Sequence, residues 1–161
     1  MKKRNVIIII AIVVFILILS ILIVVSKYKK EDKITYISLE QLDKKIETTE
    51  EFDFSKMQVL DIEKTSATIF IDSSKINNVI GRVPIINTKS SMYIVIQADK
   101  ENIQEIKLAL ESYATEYEEQ WRTYLPDQYE LAKNRKIGIY DNYVYMIVSE
   151  NPDKIVELIM W

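Results

Sequence analysis

The chain has 161 residues and a formal net charge of −3, from 24 acidic and 21 basic side chains. It contains no His and no Cys. That excludes disulfides, thiol nucleophiles, the usual zinc and haem sites, and every Ser-His or Cys-His catalytic arrangement. Only Gly81 and Gly138 are glycine, so no Gly-rich phosphate loop or dinucleotide fingerprint exists.

Residues 1–5 form a short basic tail with Lys2, Lys3 and Arg4. Residues 6–25, VIIIIAIVVFILILSILIVV, follow without a charge, a proline or a glycine, and Ser20 is the only polar side chain. As a helix rising about 1.5 Å per residue, this run spans roughly the 30 Å hydrocarbon core of a bilayer. Lipid offers no partner to an unpaired amide, so helix is the expected state. The run is longer than the core of a cleavable signal, which predicts an uncleaved anchor in contact with membrane lipid. Val24-Val25-Ser26 offers a small-residue cleavage site, so processing is the alternative. Basic residues flank both sides of the run, and their count is close to a tie. The layout of a short basic tail before one apolar run nonetheless predicts a cytoplasmic N-terminus and an external domain at the cell membrane.

Residues 26–37 read as a charged tether and 38–161 as an extracytoplasmic domain. Beyond the basic tail the chain carries 24 Asp+Glu against about 18 Lys+Arg, a net charge near −6. Such a field does not recruit nucleic acid or anionic lipid. Ser38 to Gln41 has the pattern of a capping box, and Leu39, Leu42 and Ile46 give the following helix one narrow apolar face. Residues 52–56 read as a loop anchored by Phe52 and Phe54. Residues 65–71, TSATIFI, read as a strand. Asp72 or Ser73 is expected to cap a short helix through Ile76, Val79 and Ile80, closed by Pro84. Ile85-Ile86 opens a short strand, and residues 92–98, MYIVIQA, read as a buried one.

Asp99 is expected to cap the longest helix of the domain, 100–125. Ile103, Ile106, Leu110, Tyr113, Tyr117, Trp121 and Tyr124 there follow three-and-four spacing. Pro126 breaks that helix or starts another with Tyr129 and Leu131. Residues 135–140 and 143–149 read as strands joined by Asp141-Asn142, a two-residue hairpin signal. Asn151-Pro152 opens a last helix that buries Ile155, Leu158 and Ile159.

Tyr93-Ile94-Val95-Ile96 leads through Asp99 to Ile103 and Ile106. Tyr145-Met146-Ile147-Val148 leads through Asn151 to Ile155 and Leu158 at the same spacing. A ββα unit used twice and a coincidence of two capped junctions both account for this. Either way the class is α+β: a small antiparallel or mixed sheet of about four strands, packed by helices and preceded by one transmembrane helix.

Several stretches carry a family resemblance. They are Ile71-Asp72, Val83-Pro84-Ile85-Ile86-Asn87, YLPDQYELAKN over 124–134, Asp141-Asn142-Tyr143-Val144 and Ile147-Val148-Ser149-Glu150. From Ser38 onward the chain resembles a Firmicute family of membrane-anchored and lipoprotein-like proteins, the domain of unknown function 4358. It departs at Met92, where such proteins tend to carry an acidic residue. The resemblance implies an extracytoplasmic domain behind an anchor, and brings no activity, substrate or cofactor.

Paired carboxylates are the one catalytic option left, since glycoside hydrolysis needs only an acid and a base. Glu116, Glu118, Glu119 and Asp127 are the candidates, against the plain reading of a solvated acidic helix face. No loop has the alternating ligands and the glycine of a calcium site, so no metal and no cofactor is expected. The aromatic stripe Tyr113, Tyr117, Trp121 and Tyr124 suits a sugar chain or a partner helix, and equally a packing face.

The most distinctive stretch is the proline break, and it gives the candidate interaction surface: Tyr124, Asp127, Gln128 and Tyr129. The expected function is therefore a membrane-anchored binding or assembly module with a protein partner in the cell envelope, and not an enzyme. The alternatives are a cell-envelope hydrolase using paired carboxylates and a cytoplasmic-facing membrane regulator.

Overall fold

A computed structural model of the chain describes residues 15–21 and 38–160. The chain divides into two units, Met1–Tyr36 and Ile37–Trp161. In the first, residues 15–21 are α-helical. Most of the predicted span 6–25 lies outside the described residues, among which no helix is long and apolar enough to cross a membrane.

The second unit is α+β, with five antiparallel strands in the order β1-β2-β3-β5-β4. Its elements in chain order are α1 (Leu39–Glu47), β1 (Met57–Val59), α2 (Ile62–Ile69), β2 (Asn78–Pro84), β3 (Met92–Gln97), α3 (Ile103–Trp121), α4 (Pro126–Lys133), β4 (Lys136–Tyr140), β5 (Tyr143–Val148) and α5 (Pro152–Ile159). The central strands β3 and β5 are covered on both faces, which explains their continuous apolar runs. Met92, Ile94 and Ile96 of β3 join Val144, Met146 and Val148 of β5 under α2, α3 and α4. The intervening residues Tyr93, Val95, Tyr143, Tyr145 and Ile147 pack beneath α1 and α5. Met92, where the family resemblance departs, is fully buried on the α3 face.

The capping box at Ser38 forms: its hydroxyl accepts from the Gln41 amide, and the Gln41 side chain accepts from the Ser38 amide. Several expectations need correction. Residues 65–71 are not a strand, because Asp61 accepts from the Lys64 amide and starts α2. Thr65 and Ile69 then share one buried helix face, and the β-branched content misleads. This helix ends on Phe70, left-handed at φ 55° and 86% exposed.

Asp72 caps only a 3₁₀ turn, and the expected helix through Val79 and Ile80 is β2. Pro84 ends that strand instead of a helix, past the last β2–β3 pair, Arg82 with Tyr93. Its missing N–H therefore costs no ladder bond there. Ile85-Ile86 begins a loop, and the fifth strand is β1, three residues long.

The long helix is shorter than expected. Asp99 does not cap it and instead accepts from the Asn77 side chain, 2.8 Å away. At Asp141-Asn142 the hairpin forms as read, with Asp141 at φ 51°.

The two ββα units exist as β2–β3–α3 and β4–β5–α5, with β3 and β5 adjacent and antiparallel. A two-fold axis relating antiparallel neighbours runs perpendicular to the sheet and keeps each face on its own side. Tyr93 and Tyr145 obey it, since both face α1 and α5. The helices do not: Ile103 of α3 lies in one core and Ile155 of α5 in the other. The likeness ends at the strand-to-helix junction.

Candidate functional site

The break between α3 and α4 is local in origin. Past Trp121 the chain keeps only stray turns, with the Tyr124 and Leu125 amides donating to the Trp121 carbonyl. Leu125 is extended, and Pro126 occupies the first position of α4, where its missing N–H is harmless. Tyr124 is thereby turned out to solvent, 62% exposed.

Gln128, third in α4, turns the other way. It is 5% exposed and lies beneath the 85–91 loop, so the expectation of an exposed side chain is corrected. Its Oε1 accepts from the Ser90 amide at 2.8 Å, and the Ser90 hydroxyl donates to the Gln128 carbonyl at 3.0 Å. The Tyr117 hydroxyl donates to the Ser90 carbonyl at 3.1 Å. Gln128 Nε2 donates to the Asp127 carboxylate at 3.0 Å. That bond holds the Asp127 carboxyl below the usual range. Tyr129 is half-buried, with Arg122 6.0 Å and Lys133 5.8 Å from its ring centre. Of the four residues singled out in the sequence, Tyr124 and Asp127 reach solvent, Tyr129 does so partly, and Gln128 is a clamp.

Sequence reasoning missed Ser90, the other half of that clamp. Its signal was faint: a serine at the end of a polar loop, just before a buried strand.

The clamped loop projects Ile85 and Ile86, both exposed, and divides two concave surfaces. On one side is a cleft of about 680 Å³, lined by the segment after α1, by the loop, and by the start of α5. Its walls mix Glu50, Glu51, Asp53 and Glu150 with Lys56, Lys89 and Lys154. Lys56 pairs with Asp53 at 2.7 Å and Lys154 with Glu51 at 3.4 Å. Glu51 also accepts from the Asn151 amide at 3.1 Å. A carboxylate from a hundred residues away thus caps α5, since the Asn151 side chain does not.

On the other side lie two cavities, of about 560 and 410 Å³. Asn87 and Gln120 line both. Tyr113 and Tyr117 line the larger, Trp121 and Tyr124 the smaller. Trp121 is 2% exposed, and its Nε1 is buried beside the Tyr117 hydroxyl without reaching hydrogen-bonding geometry.

Three of the four carboxylates considered for catalysis have other engagements, Asp127 with Gln128 among them. Glu118 meets Arg135 at 2.5 Å, and that bond holds its carboxyl below the ordinary range. Glu119 meets Arg122, also at 2.5 Å. A general acid at neutral pH needs the opposite shift. Among the described residues no group of three acidic side chains is placed to hold a metal ion.

A family described as Domain of unknown function (DUF4358) matches residues 50–149. The chain belongs to this family. The DUF4358 span covers all five strands with α2, α3 and α4, and leaves out α1 and α5. It includes the 85–91 loop and its Gln128 clamp, and most of the wall of both concave surfaces. No curated protein and no solved structure matches the chain.

Proposed function

We propose that the protein is a binding or assembly module, held by one helix over residues 6–25 in the cell membrane and presenting its α+β domain outside the cell. The protein partner sits in the envelope and docks on the 85–91 loop and the adjoining cleft. The observation that carries this reading is the clamp. A buried, hydrogen-bonded polar cluster of Ser90, Gln128 and Tyr117 fixes a surface loop that exposes two isoleucines. Fixing a loop before binding lowers the ordering cost on association. The mixed charges beside it give register to a protein surface, and the acidic balance is unsuited to nucleic acid.

The test is comparative capture from membranes with mass spectrometry, using the anchored protein and an Ile85→Ser/Ile86→Ser variant. One partner should be recovered by the first and lost by the second. Identical recovery by both would remove the loop from the interface. Protease added to intact protoplasts should digest the domain while a cytosolic marker stays whole. Protection of the domain would redirect the reading to a regulator facing the cytoplasm. The hydrolase reading draws no support from Glu118 or Asp127, whose partners favour the charged, non-donating form, and Glu119 is paired with Arg122.

A further inference from the structure

We infer that the groove on the α3 side of the 85–91 loop is a second site, which takes an uncharged glycan chain. It goes beyond the partner-binding reading and uses neither the cleft nor the exposed isoleucines.

The two cavities form one groove, because Asn87 and Gln120 belong to the walls of both. Its polar side chains are chiefly primary amides, Gln58, Asn87 and Gln120, all exposed. A primary amide donates and accepts from neighbouring atoms, which matches a pair of adjacent sugar hydroxyls. Lys64 is the one charged residue of the lining, and Asp61 pairs with it at 3.2 Å. The cleft across the loop carries seven charged side chains by contrast. A neutral groove beside a charged cleft selects a neutral ligand.

The platform is aromatic. The exposed Tyr124 ring lies 6.4 Å from the buried Trp121 ring, which meets Tyr117 edge-on at 6.0 Å. Tyr117 stacks on Tyr113 at 5.8 Å. This ladder abuts Tyr124, whose exposed ring stands at the groove end with Asn87 and Gln120. A ring so held gives large contact area at small entropic cost, and suits the apolar face of a pyranose. The larger cavity continues from the shared amides to Thr68 and Gln58, so a chain fits better than a single sugar.

The experiment titrates the full chain in nanodiscs with chitotetraose, cellotetraose and N-acetylglucosamine, followed by calorimetry and tryptophan fluorescence. At least one tetrasaccharide should bind saturably, and more tightly than the monosaccharide. Tyr124→Ala and Gln120→Ala should each weaken it about tenfold or more. Both sites are exposed, so unfolding curves should match the parent. The Ile85→Ser/Ile86→Ser variant should bind sugar normally while losing the partner protein, which separates this inference from the proposed function. No saturable binding of either tetrasaccharide up to about 10 mM would overturn it. So would binding that survives both groove variants. Saturable binding of a proline-rich peptide through Tyr124, with no sugar binding, would assign the groove to a peptide and overturn it equally.

Discussion

The two faces of the sheet are held by different means. On the α3 face the core is a run of aliphatic and aromatic side chains from Ile103 to Trp121, laid over Met92, Ile94 and Ile96. Its buried polar side chains include the Ser90–Gln128 clamp at one end and Thr65 of α2. On the α1 face the covering helices are short, and an ionic knot supplements their contacts. The Tyr93 hydroxyl donates to Asp43, and the Arg82 guanidinium pairs with Asp43 at 3.1 Å and with Glu47. Arg82 also stands 5.6 Å over the Phe54 ring. Area holds the first face, and directed bonds register the second. The difference follows helix length, since nineteen residues bury one long stripe and nine cannot.

The largest expected effect tests the aliphatic and aromatic side of this contrast. Trp121→Ala should cost about 3–5 kcal/mol in denaturant unfolding, because the ring is buried among Tyr117, Tyr124 and the α3 core. A loss below about 1 kcal/mol would mean that the face is not held by area.

Asp43→Ala probes the ionic knot and should cost about 1.5–3 kcal/mol. It strips the acceptor from a fully buried hydroxyl and leaves Arg82 with Glu47 alone. Adding Tyr93→Phe should cost little more, since both changes remove one bond. Simple additivity of the two losses would show that the knot is not a unit.

Gln128→Ala follows at about 1–3 kcal/mol, from the Ser90 amide left without its acceptor. It should also speed amide exchange across 85–91 and leave β3 and β5 protected. A change within about 0.5 kcal/mol, with exchange unaltered, would return Gln128 to the solvent surface.

What the sequence made legible divides along the same line. Apolar period gave α1, α3, α5, β3 and β5, because burial repeats at 3.6 or runs unbroken. The family was legible too, from short stretches around Pro84 and Tyr124. Edges and polar joints were not. β1 is too short to show a period, and α2 carries the β-branched residues of a strand. Gly138 illustrates a different gap: the ring and hydroxyl of Tyr145 lie where its Cβ would stand. A glycine there makes room for a ring on the next strand, which only register reveals. The clamp joins Ser90 to Gln128 across 38 residues, and the knot joins Asp43 to Tyr93 across 50. Such pairings have no local signal.

The smallest effect at neutral pH comes from the buried tyrosines, and it separates the faces by titration. Burial pushes the Tyr113 hydroxyl up to about 12, and pushes Tyr117 on its face and Tyr93 on the other face up as well. The neutral phenol is therefore favoured in the folded chain. Between about pH 10 and 12 the unfolded chain gives up protons that the folded one keeps, so stability present below pH 10 is lost as pH rises. Tyr113→Phe should leave unfolding at pH 7 within about 0.5 kcal/mol and make the alkaline fall in Tm shallower. Tyr93→Phe should lower stability at pH 7 as well, because its hydroxyl holds Asp43. If both variants changed only the alkaline arm, Tyr93 would be a space-filling ring like Tyr113, and the α1 face would be held by area after all.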